Sequence, residues 1–381
     1  MNEFGICLHG ANMQILKNGH NVSPNKVNDF KIKLRSENCV TLESMDHLEH
    51  ISAYLAWKEV GGNIFVKSPL LPKLQKEHVD KELSKLNLKN NIVFHTSGTT
   101  GYPKLVVQDE KFIDNTEKLS TNLLGWHKNT RYFNIVPPFV SGFWHIILSA
   151  FVKNDATLIL SSRETLAQDF SYKPNLTLWV PGIIDQMRSR NIKPPLQMFE
   201  QIMCGASQVL PRHAQFCFDN GCSVFHHSYG STETGSPILA HKSFEMNDNI
   251  NCLELTDKAK LVNDELIYDG ISTGDLFDTV NGMIRFRGRT NDLAKINGYM
   301  CSLLLIENTL EELNLGETIA VVKNKMGTDY VELYHTEGNP DVTYIKEKLL
   351  PLVPECAIPL KYSKVESIPK NALNKKTRYA L

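Results

Sequence analysis

Short apolar runs recur along this chain with helix-patterned segments between them, and that alternation restricts the fold more than any other feature. The runs are NIFVK, TLILSS (157–162), LTLWVP (176–181), EQIMCGA (200–206) and CSVFHHSYG (222–230). Each is rich in β-formers or continuously apolar, as a strand covered on both faces must be. Between them, GIIDQMRSRN and PRHAQFCFDNG read as helices. Ser44 is placed to cap an earlier helix whose Leu48, Ile51 and Leu55 fall at helical spacing and which stops at Gly61–Gly62. The pattern predicts an α/β protein with a large N-terminal domain of helix-covered, mainly parallel sheets. Ligands of such sheets bind beyond the carboxyl ends of the strands. Three polar, glycine-bearing loops, HTSGTTG, CGAS and YGSTE, follow apolar runs at such ends and are expected to converge on one rim.

After STGDLFD the texture changes. A helix opening at Ser302, the strands TIAVVK and YVELYH, a helix in DVTYIKEKLLPLV and a basic tail form a small α+β unit. Such a unit is large enough to fold alone. The boundary is placed within GRTNDLAKING, giving domains 1–290 and 291–381, the second the smaller. No internal repeat or low-complexity tract interrupts either part.

Composition narrows the function classes. A net charge of −1 over 381 residues gives no overall sign of a nucleic-acid or anionic-membrane partner. No run of apolar residues is long enough for a membrane span, and the N-terminus lacks a signal-peptide pattern, so a cytoplasmic protein is expected. The eight scattered cysteines fit reduced thiols. Cys217, Cys222, His226 and His227 invite a zinc reading, but adjacent histidines on a strand diverge, and ordinary packing is the stronger expectation.

The stretch from Thr96 to Lys104, TSGTTGYPK, can be a plain hairpin turn or a phosphate cradle. Gly98 and Gly101 let the backbone approach a ligand and turn its amides inward. The hydroxyls of Thr96, Ser97, Thr99 and Thr100 add donors, and Lys104 adds a positive charge. The spacing is not that of the strand–GxxxxGK[ST]–helix loop.

This stretch resembles the signature loop of the adenylate-forming enzymes: acyl-CoA synthetases, peptide-synthetase adenylation domains and luciferases. Later motifs arrive in that family's order. YGSTE (229–233) is similar to Tyr-Gly-x-Thr-Glu, STGD (272–275) to Thr-Gly-Asp, GRTNDLAKINGY (288–299) to the hinge stretch, and IPKNALNKKTR (368–378) to the terminal lysine motif. The resemblance covers about three quarters of the chain closely and the first ninety residues loosely.

The resemblance implies activation of a small carboxylic acid by ATP with Mg2+, then transfer of the acyl group to the thiol of coenzyme A or of a carrier protein's phosphopantetheine. Thr96–Lys104 would hold the outer phosphates, Thr232 the α-phosphate, and Glu233 the Mg2+, a hard cation that favours carboxylate oxygens. Gly205, Ala206, Ser207, Tyr229 and Gly230 would surround the adenine. Asp275 would bond the ribose hydroxyls, with Arg289 near ribose and phosphate. Lys375 would stabilise charge at the reacting phosphate; taken alone its segment also fits a solvated basic tail. Asn291 would be the pivot, and Lys295 and Gly298 would border the thiol's passage. Phe139, Gly142, Trp144 and His227 are candidates for the acid pocket, with Ser207 and His226 beside them, and the two histidines fit the core equally well.

Several departures from the family pattern accompany this. Asn374 replaces a glycine, Met300 an arginine, and Asn291 the usual Asp or Lys. PPFVSGFWH lacks the family's histidine, and the segments before STGD and before residue 96 are shortened, as in compact o-succinylbenzoate–CoA ligases. Three readings follow: a ligase using coenzyme A, an enzyme loading a carrier protein or other acceptor, and a nucleotide-binding relative without catalysis. The acid, the acceptor and whether copies associate as a homo-oligomer stay open.

Overall fold

Successive residues of the central strands enter different cores. Tyr132, Leu158, Leu178 and Met203 pack into one apolar cluster, whereas their neighbours Phe133, Ile159, Trp179 and Ile202 pack into another. Because strand side chains alternate in direction, this means that both faces of the sheet are covered. The continuous apolar runs have that origin.

The computed structural model describes residues 5–8, 11–16, 22–71, 73–96, 103–162, 164–290, 293–296, 299–310, 313–325, 328–370, 376 and 378. The chain divides into two compact units, Met1–Lys258 with Val280–Ile284, and Ala259–Thr279 with Arg285–Leu381. The first holds an eight-stranded sheet in the order Gly5–Leu8, Ala11–Leu16, Thr157–Leu160, Arg131–Asn134, Leu176–Trp179, Gln201–Cys204, Phe225–Ser231, Gly235–Ser243. Its interior pairings are parallel, and the last pair is antiparallel. Helices Pro181–Ser189 and Pro211–Asp219 cover one face, each with proline at its start, where the missing N–H costs nothing.

A second sheet of the same unit runs Val40–Leu42, Ile64–Val66, Asn91–Thr96, Lys104–Asp109. Its first three strands are parallel and its last is antiparallel. The helix His47–Val60 forms as expected from Leu48, Ile51 and Leu55, all buried. Its N-cap, however, is Asp46, whose carboxylate accepts from the Leu48 amide at 3.1 Å. Ser44 instead accepts from the Asp46 amide at 3.0 Å, shaping the turn before the cap. Helix Glu110–Leu124 is capped by Asp109 and ends at Gly125, whose φ of 63° suits glycine.

In the second unit, Ala259–Val262, Glu265–Tyr268 and Ile271–Val280 make an antiparallel meander. A hairpin pairs Leu293–Ile296 with Tyr299–Ser302. Beyond it Ser302 Oγ accepts from the Leu305 amide at 3.1 Å at the start of helix Leu303–Leu310. Strands Thr318–Lys325 and Thr328–His335 pair antiparallel, and Lys361–Lys364 joins them in parallel. Helix Val342–Leu349 closes this small core through Ile345 and Leu349. None of the described helices is long and apolar enough to cross a membrane.

Candidate active site

The signature stretch joins two paired strands. Asn91–Thr96 and Lys104–Asp109 run antiparallel, with Thr96 opposite Lys104 at the last rung. The hairpin and phosphate-loop readings are therefore compatible, since the polar residues form the connection. Ser97, Gly98, Thr99, Thr100 and Gly101 lie outside the described residues. Lys104 is exposed at the mouth of the connection. One residue before Thr96, His95 Nε2 accepts from the Ser68 amide at 3.0 Å. Burial, then the charge of Lys67, pushes the His95 imidazole down to about 4, so it is neutral and acts as an acceptor. Lys67 is itself tied to Glu43 at 2.9 Å and Asp80 at 3.1 Å.

The tip of the turn between Phe225–Ser231 and Gly235–Ser243 meets this strand end. Thr96 Oγ1 lies 3.4 Å from Glu233 Oε1, although the two strands belong to different sheets. The loops thus converge from two sheets, not along the rim of one. Beside Glu233, Thr232 is held on both sides: its hydroxyl pairs with Ser141 Oγ at 2.8 Å, and its carbonyl accepts from Gln108 Nε2 at 2.6 Å. Gln108 Oε1 in turn lies 2.6 Å from His145 Nε2. No motif in the sequence singles out Gln108, Ser141 or His145 for a role. Ser141 and His145 do fall inside PPFVSGFWH, a segment that stood out there.

The adenine candidates show two kinds of constraint. A Cβ on Gly205 would stand 2.5 Å from both the carbonyl oxygen and Oγ of Ser228, so only glycine fits against that strand. Ala206 follows with φ of 66°, a left-handed conformation that costs a residue with a side chain about 1–2 kcal/mol. Ala206 and Ser207 are exposed, and Tyr229 and Gly230 are half-buried on the strand Phe225–Ser231. Local strain at an exposed loop beyond a parallel strand is a mark of a binding site.

The acid-pocket candidates divide. Gly142 leads into a π-helical segment, Phe143–Leu148, a form enriched at functional sites. Trp144 within it is fully buried among Tyr54, His50 and Phe94, and donates its indole N–H to Pro138 O at 2.9 Å. Phe139 is buried in the same core. His227 is buried with Nδ1 3.0 Å from Cys252 O, and His226 is buried beside it. Cys217 lies in the core and Cys222 Sγ contacts Val224 O, so packing accounts for the residues of the zinc-like spacing.

In the second unit, Arg289 Nε stands 2.7 Å from Asp275 Oδ1, and Arg289 Nη2 donates to Thr273 O at 3.2 Å. Gly274 takes φ of 69°, and its amide donates to Glu265 Oε1 at 2.9 Å. The Thr-Gly-Asp turn is thereby fastened with its carboxylate beside a guanidinium. In the terminal segment Lys370 and Lys376 face each other across an antiparallel bridge. Lys370 pairs with Glu317, Lys376 Nζ donates to Thr318 O at 2.8 Å, and Arg378 Nη2 donates to Glu307 Oε1 at 2.7 Å. Lys375, Asn374, Asn291 and Gly298 lie outside the described residues, and of Lys295 only the backbone, in its hairpin, is described.

Among the described residues no group of three or more His, Cys, Asp or Glu is arranged to hold a metal alone. Glu233 is a single exposed carboxylate next to a hydroxyl. That set fits Mg2+, which keeps several waters and takes one or two carboxylates plus substrate phosphates.

Comparison with known proteins adds to this geometry. A family model described as "AMP-binding enzyme" matches residues 39–289. A stretch of 111 residues is 34% identical to surfactin synthase subunit 2 of Bacillus subtilis (strain 168), covering 29% of this chain and 3% of that protein. Bacitracin synthase 2 of Bacillus licheniformis is 33% identical over 133 residues, 34% of this chain and 5% of its own length. Among solved structures, the O-succinylbenzoate coenzyme A synthetase (MenE) from Bacillus subtilis, in complex with ATP and magnesium ion, superposes with a TM-score of 0.77 at 17% identity, over 96% of this chain and 95% of that one. The anthranilate CoA ligase AuaEII in complex with anthranoyl-AMP gives 0.75 at 14% identity, over 93% and 90%. At those identities the structural likeness speaks to the fold.

Proposed function

This chain belongs to the AMP-binding enzyme family and has the fold of adenylate-forming enzymes, and from that premise we propose that it is an AMP-forming carboxylic acid–thiol ligase. A carboxylate oxygen of a small acid attacks the α-phosphorus of ATP, the bond to pyrophosphate breaks, and an acyl-adenylate forms. A thiolate then attacks the acyl carbon, and the carbon–oxygen bond to AMP breaks. The observation that carries the reading is the meeting of Thr96 and Glu233, which gathers a phosphate-type loop and a carboxylate from two sheets.

In this reading Thr96–Lys104 bind the outer phosphates and Thr232 donates to the α-phosphate. Mg2+ at Glu233 would supply charge to the phosphate oxygens and help pyrophosphate leave. Asp275 accepts hydrogen bonds from the two ribose hydroxyls, as a carboxylate can, and Lys375 offsets the negative charge that gathers as the bonds exchange. Asn291 is the proposed pivot between the domains, and Lys295 and Gly298 line the thiol's route. Coenzyme A is the proposed acceptor, in a cytoplasmic setting. The stretches similar to surfactin and bacitracin synthase subunits favour a second one, a carrier protein's phosphopantetheine thiol.

The test is pyrophosphate release with ATP and Mg2+ across a panel of carboxylic acids, with and without coenzyme A. Release stimulated by one acid class and accelerated by coenzyme A, with thioester formed, is the expected result. Release without acceleration moves the acceptor to a carrier protein. ATP binding with no release for any acid would sink the ligase reading.

A further inference from the structure

The Thr232–Glu233 turn is supported from beneath by residues that have no part in the reaction as set out above. Gln108 is 2% exposed and His145 is fully buried, and they come from different elements, the strand Lys104–Asp109 and the π-helical segment Phe143–Leu148. Both side chains lie within the first unit, as do Ser141 and Thr232. The two hydrogen bonds of Gln108 have only one consistent direction. The Thr232 carbonyl can only accept, so the Gln108 amide must present its NH2 there and its oxygen to His145. His145 must then carry its proton on Nε2. Its Nδ1 has no hydrogen-bond partner among the described residues, and the rings of Phe94 and Phe112 lie against it. The bonds this chain does make hold it firmly, because breaking one leaves a further buried group unpaired at a cost of about 1–3 kcal/mol. It begins in the apolar interior and ends on the backbone of the residue next to Glu233.

We propose that Gln108 and His145 are positioning residues for adenylation: they fix the Thr232 backbone, while Ser141 orients the Thr232 hydroxyl, so that the hydroxyl and the Glu233 carboxylate are presented together to the triphosphate. This rests on the adenylation reading above. His145 lies in the π-helical segment Phe143–Leu148, a form frequent at functional sites. Neither Gln108 nor His145 touches substrate in this arrangement. Their contribution is to hold geometry already made, which matters most as charge develops at the α-phosphate.

The experiment compares pyrophosphate release by the full chain and its Gln108→Leu, His145→Leu, His145→Gln and Ser141→Ala variants, with melting temperatures recorded for each. Gln108→Leu and His145→Leu should lower kcat by about tenfold or more, with KM for ATP within about threefold of the parent. His145→Gln restores an N–H near the Nε2 position and should recover most of that loss. Wild-type kcat in Gln108→Leu, or equal losses in His145→Gln and His145→Leu, overturns the proposal. If Gln108→Leu fails to fold, Ser141→Ala decides: its half-exposed side chain is not needed for packing, and an unchanged kcat there overturns the proposal. A parent chain that binds ATP but releases no pyrophosphate with any acid overturns the adenylation reading, and this proposal with it.

Discussion

Thr96 Oγ1 and Glu233 Oε1 come within 3.4 Å of each other across 137 positions of sequence and two separate sheets. The contact puts the last residue of the signature strand against the carboxylate proposed to hold Mg2+. Replacing Glu233 by Gln keeps its size and removes the charge that a hard cation requires. Pyrophosphate release by Glu233→Gln should fall by at least about tenfold at low Mg2+ and recover in part as Mg2+ is raised. Release that is independent of this substitution at every Mg2+ concentration would remove Glu233 from the metal role.

Lys375 is the proposed source of positive charge at the reacting phosphate. Its neighbours Lys376 and Arg378 are both fastened to the small domain, through Thr318 O and Glu307. Lys375→Ala should abolish pyrophosphate release while ATP still binds, measured by equilibrium titration beside the rate assay. Near-wild-type release by that variant would refute the role.

Gly205 and Ala206 are adjacent and should respond in opposite ways. Gly205→Ala drives a Cβ to 2.5 Å from two oxygens of Ser228, a backbone one among them. Its expected cost is about 1–3 kcal/mol. Ala206→Gly relieves a φ of 66°, and after the entropy cost of glycine it should stabilise by roughly 0.5–1 kcal/mol. Urea unfolding of the two variants measures both effects, and a destabilised Ala206→Gly would count against the strain.

Five histidines of the first unit make its stability depend on pH. Burial is the main cause in each: it pushes His50, His95 and His227 down to about 4, and His145 and His226 down to about 3. The unfolded chain binds protons at these sites near the ordinary value of about 6.5. Above that pH neither state holds the protons, and these residues have no effect. As pH falls from about 6.5 toward 4 the unfolded state takes up protons that the native state refuses, so stability is lost. Chemical unfolding at pH 7.5, 6 and 5 should show a steepening loss, and His145→Gln should reduce the slope. A flat profile over this window would mean that the imidazoles are protonated in the native protein.

Much of the architecture was legible from local pattern. The apolar runs became strands, GIIDQMRSRN and PRHAQFCFDNG supplied helices, and Ser302 began the helix of the small unit. Backbone propensity and the period of apolar residues act over a few positions, so a reader of the chain meets them directly. Even there the details moved: Asp46 caps the helix for which Ser44 was expected, because both can accept from an amide and only the path of the turn selects one. Trp144 shows the same limit. An aromatic residue in a pocket motif and one in the core have the same sequence signature, and its burial among Tyr54, His50 and Phe94 follows from how the helices pack.

Fold class, family and the order of the motifs can be read along the chain, since glycines, hydroxyls and charged residues at set spacings are local properties. The meeting of the loops from two sheets, and the place of Gln108, Ser141 and His145 behind Thr232, come from the folded arrangement. Those partners lie 124, 91 and 37 positions from the residues they bond. A hydrogen bond acts over about 3 Å, so such neighbours are chosen by the packing of whole sheets and helices, which no short stretch of the chain encodes alone.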